Sequence, residues 1–224
     1  MKLTSTLTFF LACIIGTSAS AQVKVVIMGS STAYGVGASV YSNSWAGRFE
    51  NFYNKNNADG LDTLVYNIAA PGYDTYQEMP GNFVPPPNRP LPDDGYNVTK
   101  ALSFNPDVVI INLPSNDINY GYAKSEMISN LRYMSATIFA QGKKCYVTTP
   151  QPRNDMADDL RDSLRTLVDS VEHSFGPYAI NFWECLVTND GLNMLKDEYR
   201  ATPSPLHVND NGHELLFQRV WERN

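Results

Sequence analysis

The chain is poor in the residues that metal, redox and nucleic-acid chemistry depend on. It has three histidines and three cysteines in 224 residues. None stands at metal-ligand spacing, so neither a metal nor a cofactor is expected. Lys and Arg number 17 against 23 Asp and Glu, a formal net charge of −6. The densest basic pair is Lys143-Lys144. Phosphate binding calls for basic patches, so no nucleic-acid partner is expected. Long apolar runs are missing too. The stretch 7–15 falls short of the roughly 20 residues a membrane-spanning helix needs, and nothing later comes closer. Neither an internal repeat nor a linker is visible, which predicts one domain.

The start of the chain carries a secretory pattern. Lys2 supplies a positive charge, residues 7–15 an apolar stretch, and Ala19-Ser20-Ala21 a small-x-small cleavage site. The expectation is a signal peptide over 1–21, a mature domain over 22–224, and a secreted or periplasmic protein. Lipid anchoring at Cys13 would need an unusually short apolar run and is disfavoured. Processing leaves Cys145 and Cys185. These fall at the start of one predicted strand and just past the end of another, too far apart for a disulfide, and read as packing residues.

Apolar runs over 23–28, 63–69, 107–113 and 144–149, with a fifth over 178–183, lack polar alternation. Such runs read as strands of a parallel sheet covered on both faces. Helical spacing appears between them, at 44–55, 124–141 and 155–175, and again at 211–221. The alternation predicts a three-layer α/β/α sandwich with a parallel, flavodoxin-like sheet of about five strands. One connection, 71–104, is long and Pro-rich (VPPPNRPLP over 84–92). A connection of that length is usually functional or disordered, and its aromatic residues argue against disorder. It is predicted to wall a substrate cleft, with Tyr73, Tyr76 and Phe83 as lining candidates.

Open parallel sheets bind ligands beyond the carboxyl ends of their strands. Polar residues gather there. Gly29-Ser30-Ser31 follows the first strand, Ala70-Pro71-Gly72 the second and Pro114-Ser115-Asn116-Asp117 the third. Ser204-Pro205-Leu206-His207 precedes the last helix. A hydroxyl, a backbone amide, a side-chain amide and an imidazole are the parts of an acyl-transfer site. Each also has an ordinary reading: Ser31 as a helix cap, Asn116 as a turn former. Among the histidines, His173 falls in a helical pattern and His213 within the last helix. His207, in the loop before it, is the candidate base.

These four segments, in this order, resemble the blocks of SGNH (GDSL-type) hydrolases. The nucleophile block matches 29–35 with Ser31 as the serine. The second-block glycine matches Gly72, the GxND block 114–117, and the DxxH block 204–207. The resemblance spans nearly the whole mature chain. It implies an esterase in which Ser31 attacks, His207 is the base, and the Ser31 amide, Gly72 amide and Asn116 side chain receive the oxyanion. It further implies small acyl esters, acetyl groups on carbohydrate first, with lipid-acyl esters as an alternative. Three positions depart from the pattern: Ser30 stands for the Asp of GDS, Pro114 for a Gly, and Ser204 for the Asp that orients the histidine. The last leaves a Ser–His dyad, or a site in which a backbone carbonyl near Ser204 or the carboxylate of Asp210 steadies the ring. It also raises a further alternative, a binding homologue without turnover.

Overall fold

A computed structural model describes residues 22–55, 63–113 and 115–223. The segment 1–21, with its signal-peptide reading, and Pro114 lie outside the described residues. Five strands form one parallel sheet: β1 Lys24–Gly29, β2 Leu64–Asn67, β3 Val108–Asn112, β4 Lys144–Thr148 and β5 Ala179–Ile180. Their order is β2-β1-β3-β4-β5, with β1 paired to β3 from Val25↔Val108 to Gly29↔Asn112. The chain therefore leaves β1 toward one edge and returns across it to β3. This reversal opens a crevice between the carboxyl ends of β1 and β3.

Helices cover both faces, as the continuous apolar strands require. One layer holds α3 (Val98–Ser103), α5 (Lys124–Ala140) and α6 (Asp158–Phe175). Its core joins Val26, Met28, Val109 and Ile111 of the sheet to Leu131, Met134, Leu164 and Leu167. The other layer holds α2 (Trp45–Glu50) and α7 (Asp210–Trp221), packing Trp45, Phe49, Leu216 and Val220 on Val25, Ile27 and Ile110. Each large side chain buried in this way contributes about 1.5–3 kcal/mol. Acidic Asp158 and Asp159 open α6 and His173 closes it, matching the helix dipole. Two short helices, α1 (Ser31–Tyr34) and α4 (Asn116–Asn119), sit directly after β1 and β3.

The predicted elements are all present, with shorter ends. The fifth strand shrinks to two residues because Asn181 Oδ1 accepts from the Trp183 and Glu184 amides and turns the chain out of the sheet. The helix expected over 44–55 is α-helical to Glu50 and then widens into a π turn over Asn51–Lys55. The helix expected from 155 starts at Asp158. Cys145 and Cys185 are free thiols, Cys145 buried and Cys185 half-buried.

The segment after β2 departs most from expectation. It packs as a cover over α4 and α5. Tyr76 is only 2 % exposed; its hydroxyl bonds Glu126, which Arg89 grips with two bonds of 2.6 and 3.0 Å. Phe83 meets the rings of Tyr76 and Tyr133, and the Tyr73 hydroxyl donates to Asp93 at 2.6 Å. Tyr76 is therefore core and not a cleft residue, and Tyr73 and Phe83 spend their side chains on this packing. Aromatic content signals burial as readily as binding, and the composition of a loop does not separate the two.

Candidate active site

β1 ends at Gly29, whose φ of 149° is open to glycine and strained for other residues. A Cβ there would lie 2.5 Å from the Asn112 carbonyl oxygen, so the glycine lets β1 and β3 converge beneath the site. Ser30 then caps α1 with its side chain, accepting from the Ser31 amide at 2.5 Å. Capping thus falls to Ser30. Ser31 becomes the first helical residue, its hydroxyl released from that duty.

Ser31 Oγ lies 3.0 Å from His207 Nε2, across 176 residues of chain. The other ring nitrogen, Nδ1, lies 3.0 Å from Ser204 Oγ. In the tautomer that suits proton abstraction, Nε2 accepts from the Ser31 hydroxyl while Nδ1–H donates to Ser204. The Ser204 hydroxyl also accepts from the amides of Leu206 and His207 at 3.3 and 3.2 Å, which holds its oxygen beside the ring. Backbone bonds anchor the loop: Gln151 Nε2 donates to Leu206 O at 2.8 Å and the Asn154 amide to Pro205 O at 2.9 Å. Gly37 completes the approach; a Cβ there would stand 2.9 Å from His207 Cβ and 2.3 Å from Val208 O.

Asp210 stands elsewhere. Both its oxygens are engaged by Ser39 (2.7 Å from the amide, 2.6 Å from the hydroxyl) and by Asn43 at 2.9 Å. The structure thereby corrects the expectation that Asp210 orients His207: as the first residue of α7 it ties that helix to the loop after α1. His213 is buried; its Nδ1 accepts from the Trp45 amide and its Nε2 faces Val36 O, each at 3.3 Å. Burial holds its pKa down to about 4, so it remains a neutral brace.

Asn116 begins α4 across the crevice. Its Nδ2 donates to Ser30 Oγ at 3.0 Å and to Tyr73 O at 2.9 Å. Ser30, the residue in place of the expected Asp, therefore collects the Ser31 amide and the Asn116 amide on one oxygen. Gly72 is exposed, with φ at 82°, and its carbonyl accepts from Tyr120 at 2.9 Å.

Two residues went unnoticed in the sequence. Arg153, its side chain 4 % exposed, is paired with Asp155 through bonds of 2.9 and 2.6 Å. Its remaining nitrogen reaches Ser115 Oγ and Asn116 Oδ1, each at 3.4 Å, so it steadies the Asn116 amide from behind. Burial lowers the His207 pKa; the Arg153 charge lowers it further and Asp155 opposes. The imidazole is thus neutral, and able to accept a proton, down to below its usual range near 6.5. An Arg-x-Asp on a loop after a strand is an ordinary ion pair in sequence, and only its position gives it weight. Beneath α4 lies a buried acidic group: Asp117, raised to about 7 mainly by burial, bonds Thr75. Fully buried Glu78 is pushed well above its usual value, chiefly by burial.

The two charges near His207 predict opposite pH effects. Arg153→Gln removes a cation and should move the acid limb of kcat/KM to higher pH. Asp155→Asn removes an anion and should move it lower. The other charged or titratable groups in this region are Asp210, held by Ser39 and Asn43, and neutral His213, and both substitutions leave them in place. Profiles of the two variants that shift in the same direction would contradict this electrostatic account.

The doubly covered parallel sheet thus brings a hydroxyl–imidazole pair and a side-chain amide together at its switch point. The chain belongs to the GDSL-like lipase/acylhydrolase family, whose model matches residues 27–215. Solved structures share the fold. A GDSL-like lipase from Bacteroides thetaiotaomicron superposes with a TM-score of 0.63 at 15% identity, covering 89% of this chain and 86% of that one. A lipolytic protein of the G-D-S-L family from Desulfitobacterium hafniense gives 0.64 at 14% identity, over 91% and 100%. A carbohydrate esterase family 3 protein from Talaromyces cellulolyticus gives 0.62 at 15% identity, over 90% and 96%. No curated protein matches significantly. Among the described residues no helix is long and apolar enough to cross a membrane, and no group of three or more His, Cys, Asp or Glu is arranged to hold a metal ion.

Proposed function

We propose that the chain is a serine carboxylic-ester hydrolase that works through an acyl-enzyme on Ser31 and removes small acyl groups, acetyl foremost, from carbohydrate esters. The observation that carries this reading is the 3.0 Å contact between Ser31 Oγ and His207 Nε2. His207 takes the Ser31 proton as Oγ bonds the acyl carbon. The tetrahedral oxyanion is received by the amides of Ser31 and Gly72 and by Asn116 Nδ2. As the C–O bond breaks, His207 returns the proton to the departing alcohol, leaving the acyl group on Ser31. Water then adds by the same route: His207 accepts its proton, the acyl–Ser31 bond breaks, and the proton goes back to Ser31 as the carboxylic acid leaves.

Among the described residues no carboxylate contacts the imidazole, and this is compatible with turnover. In the serine-protease template, loss of the acid costs about 10⁴ chiefly because the histidine takes the wrong tautomer. Here Ser204 Oγ lies 3.0 Å from Nδ1 and can receive Nδ1–H, the tautomer that leaves Nε2 free to accept from Ser31. This favours an enzyme over a binding homologue without turnover. The signal-peptide reading of 1–21 makes 22–224 the mature domain, secreted or periplasmic.

Purified protein should hydrolyse p-nitrophenyl acetate and be inactivated by a fluorophosphonate that adds one phosphonyl group to Ser31, seen by intact mass and peptide mapping. Adduct on another residue, or label without loss of turnover, would overturn the reading.

A further inference from the structure

We propose that the cleft beside the nucleophile helix is a sugar-binding subsite that takes the alcohol half of the ester as a polyhydroxylated ring; the assignment rests on the esterase reading above. The cleft encloses about 590 Å³ between Tyr34, Val40, Tyr41, Glu50, Asn67 and Ala69, within the roughly 300–1,000 Å³ of small-molecule sites. It opens at the carboxyl end of β2, next to the end of β1 that carries Ser31. Tyr34 is the last residue of the single-turn helix that Ser31 begins. The loop forming its outer wall is tied to the same residue, since the amides of Gly35 and Val36 both donate to Ser31 O, at 3.1 and 2.9 Å.

Its walls select the ligand. At the mouth stand Tyr34, Val40 and Tyr41, exposed by 53%, 56% and 43%. Below them lies a fixed polar floor. The Tyr41 hydroxyl donates to Glu50 Oε1 at 2.6 Å and accepts from Asn67 Nδ2 at 3.0 Å, and Asn67 Nδ2 also donates to Ala33 O at 2.8 Å. A sugar ring has the complementary shape: apolar C–H faces for the tyrosine rings and hydroxyl edges for the carboxylate and amide. An acyl chain would strip water from this floor without replacing its hydrogen bonds, which is unfavourable. The cleft therefore assigns the leaving-group side to a saccharide.

Two acetyl esters that differ only in their alcohol test this: acetylated cellobiose or xylobiose, and p-nitrophenyl acetate. Tyr34→Ala and Glu50→Gln should each lower the ratio of kcat/KM for the sugar ester over the aryl ester by about tenfold, mainly through KM. Free cellobiose or xylobiose, titrated into Ser31→Ala protein and followed by NMR, should perturb resonances of residues 34–41, and the added Tyr34→Ala change should abolish the response. An unchanged ratio overturns the subsite while leaving the esterase intact. Selective loss of p-nitrophenyl octanoate turnover in Tyr34→Ala overturns it in favour of an acyl pocket. If wild type hydrolyses neither acetate, the esterase reading fails, and the disaccharide titration still decides the cleft: binding upholds it, and silence from both sugars overturns it.

Discussion

Ser31→Ala and His207→Ala should each reduce kcat on an acetyl ester by about 10⁴-fold or more, and the double variant should be little worse than either alone. The reason is geometric. A serine hydroxyl is a weak nucleophile at neutral pH, and the base in contact with Ser31 Oγ is His207 Nε2 at 3.0 Å. Remove the hydroxyl and the imidazole has nothing to activate; remove the imidazole and the hydroxyl keeps its proton. The groups act as a unit, so their losses do not add. Stability should barely move. Ser31 gives up one hydrogen bond, worth about 0.5–1.5 kcal/mol, which corresponds to a Tm change of a few degrees at most for a domain of this size. Circular dichroism and thermal melts separate this outcome from unfolding. Ordinary turnover by folded Ser31→Ala protein would end the serine-hydrolase reading, and a double variant far slower than both singles would show that they contribute independently.

Asn116→Ala should lower kcat by about 10²–10³ with little change in KM. The amide sits on the far lip of the β1/β3 crevice, and Nδ2 reaches Ser30 Oγ and Tyr73 O. Ser30 Oγ also holds the Ser31 amide. Two of the three donors assigned to the oxyanion are thus gathered on one neutral oxygen in the resting site. As negative charge develops on the acyl oxygen, it outcompetes a hydroxyl for those donors, because charge-assisted bonds are about twice as strong as neutral ones. The interaction is then made in the transition state and scarcely in the ground state, which is why kcat should carry the loss. Asn116→Asp, which replaces donors with a negative charge, should be worse than alanine. A variant altered in KM alone would make Asn116 a substrate-binding residue instead.

What the sequence determined by itself follows from local physics. Unalternated apolar runs can be buried only in a doubly covered parallel sheet, so the strands, their helices and the flavodoxin-like order were legible, as was the gathering of Ser31, Gly72, Asn116 and His207 at one sheet edge. Strand ends were legible only approximately, because side chains such as Asn181 end them by capturing nearby amides. The tertiary structure decided which partner each polar group takes. Asp210 and Ser204 stand three residues to either side of His207, and spacing does not rank them; the fold gives Asp210 to Ser39 and Asn43 and leaves Ser204 facing the ring. Arg153 and Asp155 acquire their influence on His207 and Asn116 only when the loop after β4 comes to rest beside the loop before α7. Tyr76, a cleft-lining candidate in the sequence, becomes core because α5 packs against it with Glu126 placed to take its hydroxyl. Hydrophobic periodicity is written along the chain every two or four residues, whereas a hydrogen bond between residues 176 apart exists only after the sheet has brought their loops together.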